Sequence, residues 1–423
     1  MSEFVPEGWS VEKLDSITKV IDSAHQTPIF SLSGFPMVRV GDIKGGRISL
    51  VGTVSVSSDV FDIFTKNYQP KYNDILMTRV GSYGRSSIVK TDKIFCLGQN
   101  TVVVNPKSID ADYLYQLLQG QNVKNQIEDT VGGSSQKSLS LGAIKSLKIL
   151  TPVFPEQQKI AAILTSVDEV IEKTQAQINK LKDLKTGMMQ ELLTRGVGVD
   201  GKPHTEFKDS PVGRIPKGWE VVKLSEVLTK IDSGWSPACI EVPPQTGEWG
   251  VLKVSSVTRG EFLEIQSKTL PSNLEPKEHI KVNNGDLLLT RANGVADLVG
   301  KCVMIQSEPR SKLMMSDKIL RLNPNKHIYS HFLLHAFNSQ EMRRQIELSW
   351  GGSSGQKNIS QADIKNYLLA LPSFDEQKFI GDSISQVDRV LSAKNNKLIK
   401  MNDTKKALMQ DLLTGKVRVK VDS

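Results

Sequence analysis

Two stretches of the chain carry the same long helical pattern of apolar positions. In the first, apolar side chains recur in alternating steps of four and three residues, with Thr174 and Lys185 on the same seam: Ile160, Leu164, Val167, Ile171, Ile178, Leu181, Met188 and Leu192. In the second, Lys394 and Lys405 stand at the matching breaks: Ile380, Ile384, Val387, Leu391, Leu398, Met401, Leu408 and Leu412. A heptad seam sustained over more than four repeats is typical of a coiled coil. Each helix of about 40 residues would be roughly 60 Å long.

The flanking residues carry start and stop signals for both helices. Pro155 suits a first helical position, and Ser373 with Glu376 predicts a capping box. Gly196 and Gly415 are stop signals. Such a seam also fits a bundle core or a homodimer zipper, but two matched helices in one chain favour pairing with each other. The connection between the halves is rich in Gly, Pro and polar residues, and it is long enough for an antiparallel pair with pseudo-twofold symmetry.

The rest of the chain also contains an internal duplication. Matching motifs follow each other in the same order, at offsets of 210, 219 and 220 residues respectively: Pro6 and Trp9 with Pro216 and Trp219, Gly132 and Ser135 with Gly351 and Ser354, Glu156 and Gln157 with Glu376 and Gln377. The offset varies early in each half and is constant over the helical segment. Variation indicates loop insertions in a globular region that differs between the halves, whereas constancy indicates an element that tolerates no insertion.

The globular regions have the pattern of mixed α and β structure. Short β-rich runs at 75–78, 101–104 and 287–290 are bounded by Gly, Asn and Asp. One helix is predicted near 112–128 and its match at 330–347, with Tyr113 and Leu114, or Phe332 and Leu333, on the buried face. The predicted fold class is α+β: two mixed domains, each followed by a long helix. The predicted segments are domain 1–153, spacer helix 154–196, linker 197–214, domain 215–372, spacer helix 373–415 and tail 416–423.

Composition adds a preference for a polyanionic partner. The chain of 423 residues has 54 Lys+Arg against 46 Asp+Glu, a net charge of +8. Basic side chains that displace phosphate counterions drive nucleic-acid binding, although many basic proteins bind none. The three cysteines are far apart, which predicts buried or semi-buried apolar roles in a reducing compartment. No signal-peptide pattern and no apolar run of roughly 18 residues is present, so a soluble, cytoplasmic protein is expected.

Motifs for catalysis and metal binding are missing. There is no HExxH, GxSxG or metal-spaced Cys/His cluster. His331 and His335 are four residues apart but lack a third ligand, so a solvated or helix-face pair is expected. The segment from Gly294 to Lys301 imitates a phosphate loop with the wrong glycine spacing, and Cys302 replaces the Ser/Thr that would bind Mg²⁺. A strand–turn–strand is predicted there, and no catalytic or metal-binding residue is predicted anywhere.

Two duplicated polar segments are the candidate contacts with a phosphate-bearing partner. The first predicted set follows a buried strand in each half: Thr78, Arg79 and Ser82, matched by Thr290, Arg291 and Asn293. A phosphate oxygen can be bound by such a set of donors: a guanidinium, a hydroxyl and exposed amides beside a glycine turn. The second set follows a Gly-Gly pair: Ser134, Ser135, Gln136 and Lys137, matched by Ser353, Ser354, Gln356 and Lys357. The alternative for both sets is turn chemistry that only links strands.

The ordered series of motifs resembles a known family. In each half a polar turn opens a buried strand, a Gly-Gly-Ser-Ser turn follows, a strand ends at Pro152 or Pro372, and Glu-Gln starts the long helix. This series resembles the specificity subunit of type I restriction–modification enzymes over nearly the entire chain. The first half departs at Asn73, where the family usually has a glycine.

The resemblance implies a division of labour. Each globular region would be a target-recognition domain reading one half of a bipartite, asymmetric duplex DNA site. The helices would set the half-site spacing and dock two methylation subunits, to which restriction subunits attach. S-adenosylmethionine, ATP and Mg²⁺ would be used by those partners, and this chain would not be an enzyme. Residues 44–47 and 259–261 are candidates for base reading, with solvated loops as the alternative.

Three other functions stay open at this point. A recognition subunit of another multi-subunit DNA methylase would keep the same fold. A basic coiled-coil scaffold could instead bind protein or RNA. A self-contained nuclease or methylase is disfavoured because its motifs are missing.

Overall fold

The computed structural model describes residues 5–131, 138–198, 201–351 and 357–420. The chain divides into two compact units: unit 1 consists of Met1–Gln177 with Asn395–Ser423, and unit 2 of Ile178–Lys394. Each unit therefore combines one globular region with segments of both long helices.

The strands and helices of unit 1 follow the mixed pattern expected from the sequence. Its strands are β1 (Ser10–Lys13), β2 (Thr18–Asp22), β3 (Phe30–Ser31), β4 (Phe35–Val38), β5 (Val54–Val56), β6 (Ile75–Thr78), β7 (Ser86–Ile88), β8 (Cys96–Leu97), β9 (Thr101–Pro106) and β10 (Lys148–Thr151). Its helices are α1 (Leu14–Ile17), α2 (Ser58–Thr65), α3 (Ala111–Gln119), α4 (Gln121–Val131), α5 (Leu141–Lys145) and the first part of α6 (Phe154–Leu192). Its sheets have the strand orders β2-β9-β6-β7 and β3-β5-β4-β8, and β1 pairs with β10.

Unit 2 repeats this plan with different strand lengths. Its strands are β11 (Phe207–Lys208), β12 (Ile215–Pro216), β13 (Glu220–Lys223), β14 (Leu228–Ser233), β15 (Trp249–Leu252), β16 (Ser267–Thr269), β17 (Leu287–Thr290), β18 (Ala292–Asn293), β19 (Cys302–Met304), β20 (Lys312–Met314), β21 (Ile319–Pro324), β22 (Lys357–Asn358) and β23 (Leu368–Leu371). Its helices are α7 (Leu224–Val227), α8 (Ser330–Phe337), α9 (Gln340–Ser349), α10 (Gln361–Asn366) and the first part of α11 (Phe374–Leu412). The sheet β14-β21-β17-β19 corresponds to β2-β9-β6-β7.

The central strand of each larger sheet is buried on both faces. Successive side chains of a strand point to opposite faces. In β6, Ile75 and Met77 belong to the core shared with the helices, whereas Leu76 belongs to a second core with the smaller sheet. This two-sided burial explains why β6 and β17 are continuous apolar runs rather than alternating ones.

The predicted helix near 112–128 is two helices, and so is its match. Tyr113, Leu114, Phe332 and Leu333 are buried as predicted. In unit 1 the break is at Gly120, the residue type with the lowest helix propensity after proline. In unit 2 the second helix restarts at Ser339, whose hydroxyl accepts a hydrogen bond from the backbone N–H of Met342. These local signals lie inside an apolar pattern that continues across both helices.

Both long helices are present, each with 39 residues. Their seam is buried or half-buried throughout, including the polar breaks. Lys185 Nζ lies 2.6 Å from Asp388 Oδ1 within unit 2, and Lys405 Nζ lies 2.6 Å from Asp168 Oδ1 within unit 1. Two seam lysines are therefore ion-paired with the other long helix.

Of three local predictions, the linker gains a detail, the capping box needs correction and the strand–turn–strand is confirmed. The linker contains a short strand, because β11 pairs with β12. The capping box at Ser373 is incomplete: its hydroxyl accepts from the Glu376 N–H, but the Glu376 carboxylate accepts instead from Trp219 Nε1. The segment from Gly294 to Lys301, which resembles a phosphate loop, forms the predicted strand–turn–strand, with a 3₁₀ turn at Ala296–Leu298 between β18 and β19. Within the described residues, no helix combines the length and apolarity needed to cross a membrane.

Gly196→Ala is expected to destabilise unit 2. Gly196 has φ +62°, and an added Cβ would overlap Trp219 Cζ2 and lie 2.5 Å from Glu376 Oε1. The left-handed backbone alone costs an L-residue about 1–2 kcal/mol, and the contact adds to it. Urea unfolding should show a lower midpoint. Gly187→Ala is the matched control: Gly187 lies in α6 with no atom near its Cβ, so a gain of about 0.5–1 kcal/mol is expected. Equal effects of the two changes would contradict this account.

Candidate nucleic-acid interface

In each unit, the first predicted polar segment pairs with residues that follow the Gly-Gly-Ser-Ser motif. In unit 1, Val80 forms a β-bridge with Ser138, and Arg79 Nε donates to the Leu139 carbonyl at 3.1 Å. In unit 2, β18 pairs with β22, with Asn293 opposite Lys357. The sequence predicted the two segments separately, and the structure pairs the first of them with residues on the carboxyl side of that motif. Ser134, Ser135, Gln136, Lys137, Ser353, Ser354 and Gln356 lie outside the described residues, and their role stays a prediction.

The predicted hydroxyl and amide groups mainly hold their own turns. Thr78 is buried, and its hydroxyl donates to the Ser82 carbonyl at 2.5 Å and the Arg85 carbonyl at 3.3 Å. Asn293 Oδ1 accepts from the Val295 N–H at 2.9 Å. Thr290 is fully buried, and its hydroxyl has no hydrogen-bond partner among the described residues. Burial places the hydroxyls of Thr78 and Thr290 away from solvent, whereas Ser82 is half-buried beside an open surface. Their contact with DNA stays a prediction.

The two matching arginines have different surroundings. Arg79 Nη1 donates to both carboxylate oxygens of Asp22, at 3.0 and 2.9 Å. Only 19% of the Arg79 side chain is exposed, so its guanidinium is largely committed to the fold. Arg291 is half-buried, and its side chain makes no hydrogen bond or ion pair with the residues that the structure describes.

A third arginine explains this difference. Asp232 matches Asp22 in the repeat, but in unit 2 it accepts from Arg321 Nε and Nη2, both at 3.0 Å. Arg321 also donates to Asp286 at 3.0 Å, and unit 1 has Val103 at the position matching Arg321. Burial acts to raise the pKa of Asp232, but hydrogen bonds from Asn323 and Arg321 outweigh it and hold that pKa below its usual value. Because Arg321 is paired with the Asp232 carboxylate, the Arg291 guanidinium is available to bind another anion.

A basic depression adjoins the polar turn of unit 1. Its lining includes Ser82 and three exposed basic side chains, Lys44, Arg85 and Lys124, with Glu128 also present. Convergent cations beside glycine amides form a surface that suits a phosphate oxygen. The sequence missed Arg85 and Lys124 because they are isolated charges about 40 residues apart, brought together only by the packing of α4 against the sheet.

The segment 44–47 is partly bound to the spacer helix. Arg47 Nη2 donates to Glu169 Oε1 at 2.9 Å, and the Gly46 N–H donates to the Tyr115 hydroxyl at 2.6 Å. Lys44 is exposed, as are the matching residues 259–261. The structure therefore ties Arg47 to α6, and base reading by Lys44 and by 259–261 stays a prediction.

The paired histidines are a structural contact. His331 Nδ1 and His335 Nε2 lie 2.9 and 2.8 Å from the Ser385 hydroxyl on α11. Burial, followed by the charge of Lys185, lowers the pKa of His335 to about 3, so this imidazole is neutral at pH 7. The pair thus lies on a helix face against α11, with His335 buried and His331 half-buried. Across the described ranges, no group of three or more His, Cys, Asp or Glu side chains could hold a metal ion.

Comparisons with known proteins agree with this architecture. The family model described as the type I restriction modification DNA specificity domain matches residues 6–183 and 216–401. The putative type I restriction enzyme MjaX specificity subunit of Methanocaldococcus jannaschii is 29% identical, over 98% of this chain and 95% of that protein. The EcoKI specificity subunit of Escherichia coli K12 is 22% identical, over 98% of this chain and 90% of that protein.

A solved structure shares the fold. The S subunit of a type I restriction–modification system from M. genitalium has a TM-score of 0.65 at 16% sequence identity, covering 97% of each chain. The two regions matched by the family model span most of the sequence. The chain therefore belongs to the family of type I restriction–modification DNA specificity proteins, whose members are non-catalytic recognition subunits.

Proposed function

We propose that this chain reads a bipartite, asymmetric duplex DNA site, with one half-site recognised by each unit. The observation that carries the proposal is a pairing with the same register in both units but different side chains: Val80 pairs with Ser138, and Ala292 pairs with Asn358. The shared ladder supports the same mode of contact with the phosphate backbone, while differing side chains support different half-sites. Arg79 is committed to Asp22 and Arg291 is not, which is one such difference.

The long helices are proposed to pair as an antiparallel coiled coil with pseudo-twofold symmetry. In unit 1, Asp168 near the middle of α6 meets Lys405, whereas Glu156 at its start meets Arg418, which follows α11. Partner numbers rise as α6 numbers fall, as an antiparallel arrangement requires. The pairs Lys185–Asp388 and Lys405–Asp168 join matching positions of the repeat in reciprocal fashion. A rigid spacer of this kind would set the distance between half-sites.

The catalytic steps are proposed to belong to partners. Two methylation subunits would dock on the spacer helices, and restriction subunits would attach to them. S-adenosylmethionine, ATP and Mg²⁺ would be bound by those subunits, in the cytoplasm. Family membership supports this division.

Exchanging residues 1–153 for those of another family member is expected to change only one half of the methylated sequence. The complex is assembled with its methylation subunits, and modified adenines are mapped by sequencing. Exchanging 215–372 is the reciprocal control and should change the other half. If both halves change, or neither, the two-reader proposal fails. If the assembled complex shows no sequence preference for duplex DNA at all, a scaffold function replaces it.

A further inference from the structure

The turn that borders the basic depression of unit 1 has a structural match in unit 2. Gly84 and Gly300 end the two turns, and the N–H of each donates at 2.8 Å to the carbonyl of the threonine that precedes the turn. A Cβ on Gly84 would lie 2.9 Å from Ile127 Cδ1 of α4, and one on Gly300 would lie 2.5 Å from Ile346 Cδ1 of α9. The same turn therefore packs against the same helix in both units.

Two cations beside this turn also match between the units. Arg85 and Lys301 follow the two glycines, and the carbonyl of each accepts from a threonine N–H at 2.9 Å. Lys124 and Arg343 occupy the same position of α4 and α9, three residues before the packed isoleucine. Each unit therefore has one arginine and one lysine at this place in the fold, with the two positions exchanged.

In unit 2 the turn itself supplies acceptors to the cation of the helix. That turn has nine residues, 291–299, whereas the turn of unit 1 has five, 79–83. The Arg343 guanidinium donates to the carbonyl oxygens of Ala296 and Val299, at 3.0 and 2.7 Å. Only 21% of the Arg343 side chain is exposed. The additional residues of the longer turn thus place main-chain oxygens on this cation.

In unit 1 the matching cation has no such acceptor. Lys124 and Arg85 are exposed, and their side chains form no hydrogen bond or ion pair with any residue that the structure describes. Arg343 is also ion-paired with Glu347, at 2.9 Å, whereas Lys124 forms no ion pair with the matching Glu128. The place where unit 2 has carbonyl oxygens is therefore bordered in unit 1 by unpaired cations.

We propose that the basic depression of unit 1, bordered by Lys44, Arg85 and Lys124, binds a backbone phosphate of duplex DNA, and that the longer turn of unit 2 closes the matching site. Phosphate oxygens take the place in unit 1 that main-chain carbonyl oxygens take in unit 2. Three cations favour a charged phosphodiester over a neutral acceptor, because each neutralised phosphate releases counterions. The inference rests on the proposed function, because the depression adjoins the turn that is assigned to DNA there.

The proposal gives the two units different cations for the DNA backbone. At the beginning of the turn, Arg79 is paired with Asp22, whereas Arg291 has no partner among the described residues. On the helix the situation is reversed, because Arg343 is bound to the turn and Lys124 is not. The available charge therefore lies beside α4 in unit 1 and at the end of β17 in unit 2.

The test is a salt titration of DNA binding by the complex assembled with its methylation subunits. With Arg85→Ala and Lys124→Ala combined, the slope of log K against log salt concentration is expected to become shallower by about two. Arg85→Ala alone should account for about one, and Lys301→Ala, the matched control in unit 2, for none. The recognised sequence should not change, because phosphate contacts carry no base information directly. The urea midpoint of the double variant should not change either, since both side chains are exposed and unpaired.

Three outcomes would overturn the proposal. If the double variant keeps both the slope and the sequence preference, the depression contacts no phosphate, and the two-reader proposal stands. Equal effects of Arg85→Ala and Lys301→Ala would show that the longer turn does not close the second site. Loss of the methylation subunits from the double variant, with an unchanged slope, would assign the cations to a protein partner. An unmodified complex without sequence preference would contradict the proposed function instead, and the salt slope of its non-specific binding would still test the depression.

Discussion

Glu376→Ala is expected to destabilise unit 2 by about 3–5 kcal/mol, the cost of removing one member of a buried polar cluster. The carboxylate is 3% exposed. Its Oε2 accepts from Trp219 Nε1 at 3.0 Å, and its Oε1 accepts from the Val197 N–H at 3.0 Å and lies 2.9 Å from His204 Nε2. Alanine would leave the indole and amide donors buried without an acceptor, at about 1–3 kcal/mol each.

Urea unfolding, followed by far-UV circular dichroism and by tryptophan fluorescence, measures this loss. Glu376→Gln keeps one acceptor oxygen and nearly the same volume, so its loss should be smaller than that of alanine. Glu220→Ala is the control at an exposed glutamate of β13, with an expected change within about 0.5 kcal/mol. A loss below about 1 kcal/mol for Glu376→Ala would show that the cluster is not a major source of stability.

The same cluster occurs in unit 1 with one different partner. Glu156 accepts from Trp9 Nε1 at 3.2 Å, and Arg418 donates to both of its carboxylate oxygens at 2.7 and 2.8 Å. Arg418 thus takes the place that His204 and the Val197 amide take in unit 2. The repeat in the sequence marks Trp9, Trp219, Glu156 and Glu376 as matching residues. It does not show that each tryptophan binds the glutamate that starts a long helix.

The features that could be predicted are those with a local pattern. The heptad seam is periodic and duplicated, so both long helices were predictable, and the buried strands β6 and β17 are short apolar runs with polar ends. The break at Gly120 was missed because the apolar period continues across it. The seam lysines looked like interruptions, since their partners Asp168 and Asp388 are more than 200 residues away in sequence.

The candidate site depended still more on distant residues. Arg79 and Arg291 occupy equivalent positions, and the sequence predicts the same role for both. Their difference comes from the matching carboxylates Asp22 and Asp232, which lie in strands more than 50 residues away from the turns in sequence. Asp22 is paired with Arg79 of the turn, whereas Asp232 is paired with Arg321. A single replacement in the matching strand, Val103 in unit 1 and Arg321 in unit 2, changes which arginine holds the carboxylate. No local pattern contains that information.

Arg291→Ala is therefore expected to weaken specific DNA binding, whereas Arg79→Ala is expected to weaken the fold. A guanidinium that contacts DNA contributes about 1–3 kcal/mol if it pairs with a base, which is roughly five- to 150-fold in affinity. If it contacts a phosphate instead, the slope of log K against log salt concentration should become shallower by about one. Titration of the assembled complex at several salt concentrations separates these cases.

Arg79→Ala removes the arginine partner of the Asp22 carboxylate, which leaves it His25 Nε2 at 2.7 Å, and it removes a donor to the Leu139 carbonyl. We expect a loss of about 1–3 kcal/mol in the unfolding free energy of unit 1, because both acceptors are sheltered from water. Arg291→Ala should change that free energy by less than about 0.5 kcal/mol. If Arg291→Ala leaves the affinity and the salt slope unchanged while Arg79→Ala lowers affinity in a fully folded chain, the assignment is reversed. Unit 1 would then contact DNA through Arg79, which is paired with Asp22. The pairing of Arg321 with Asp232, which leaves Arg291 without a carboxylate partner, would have no part in recognition.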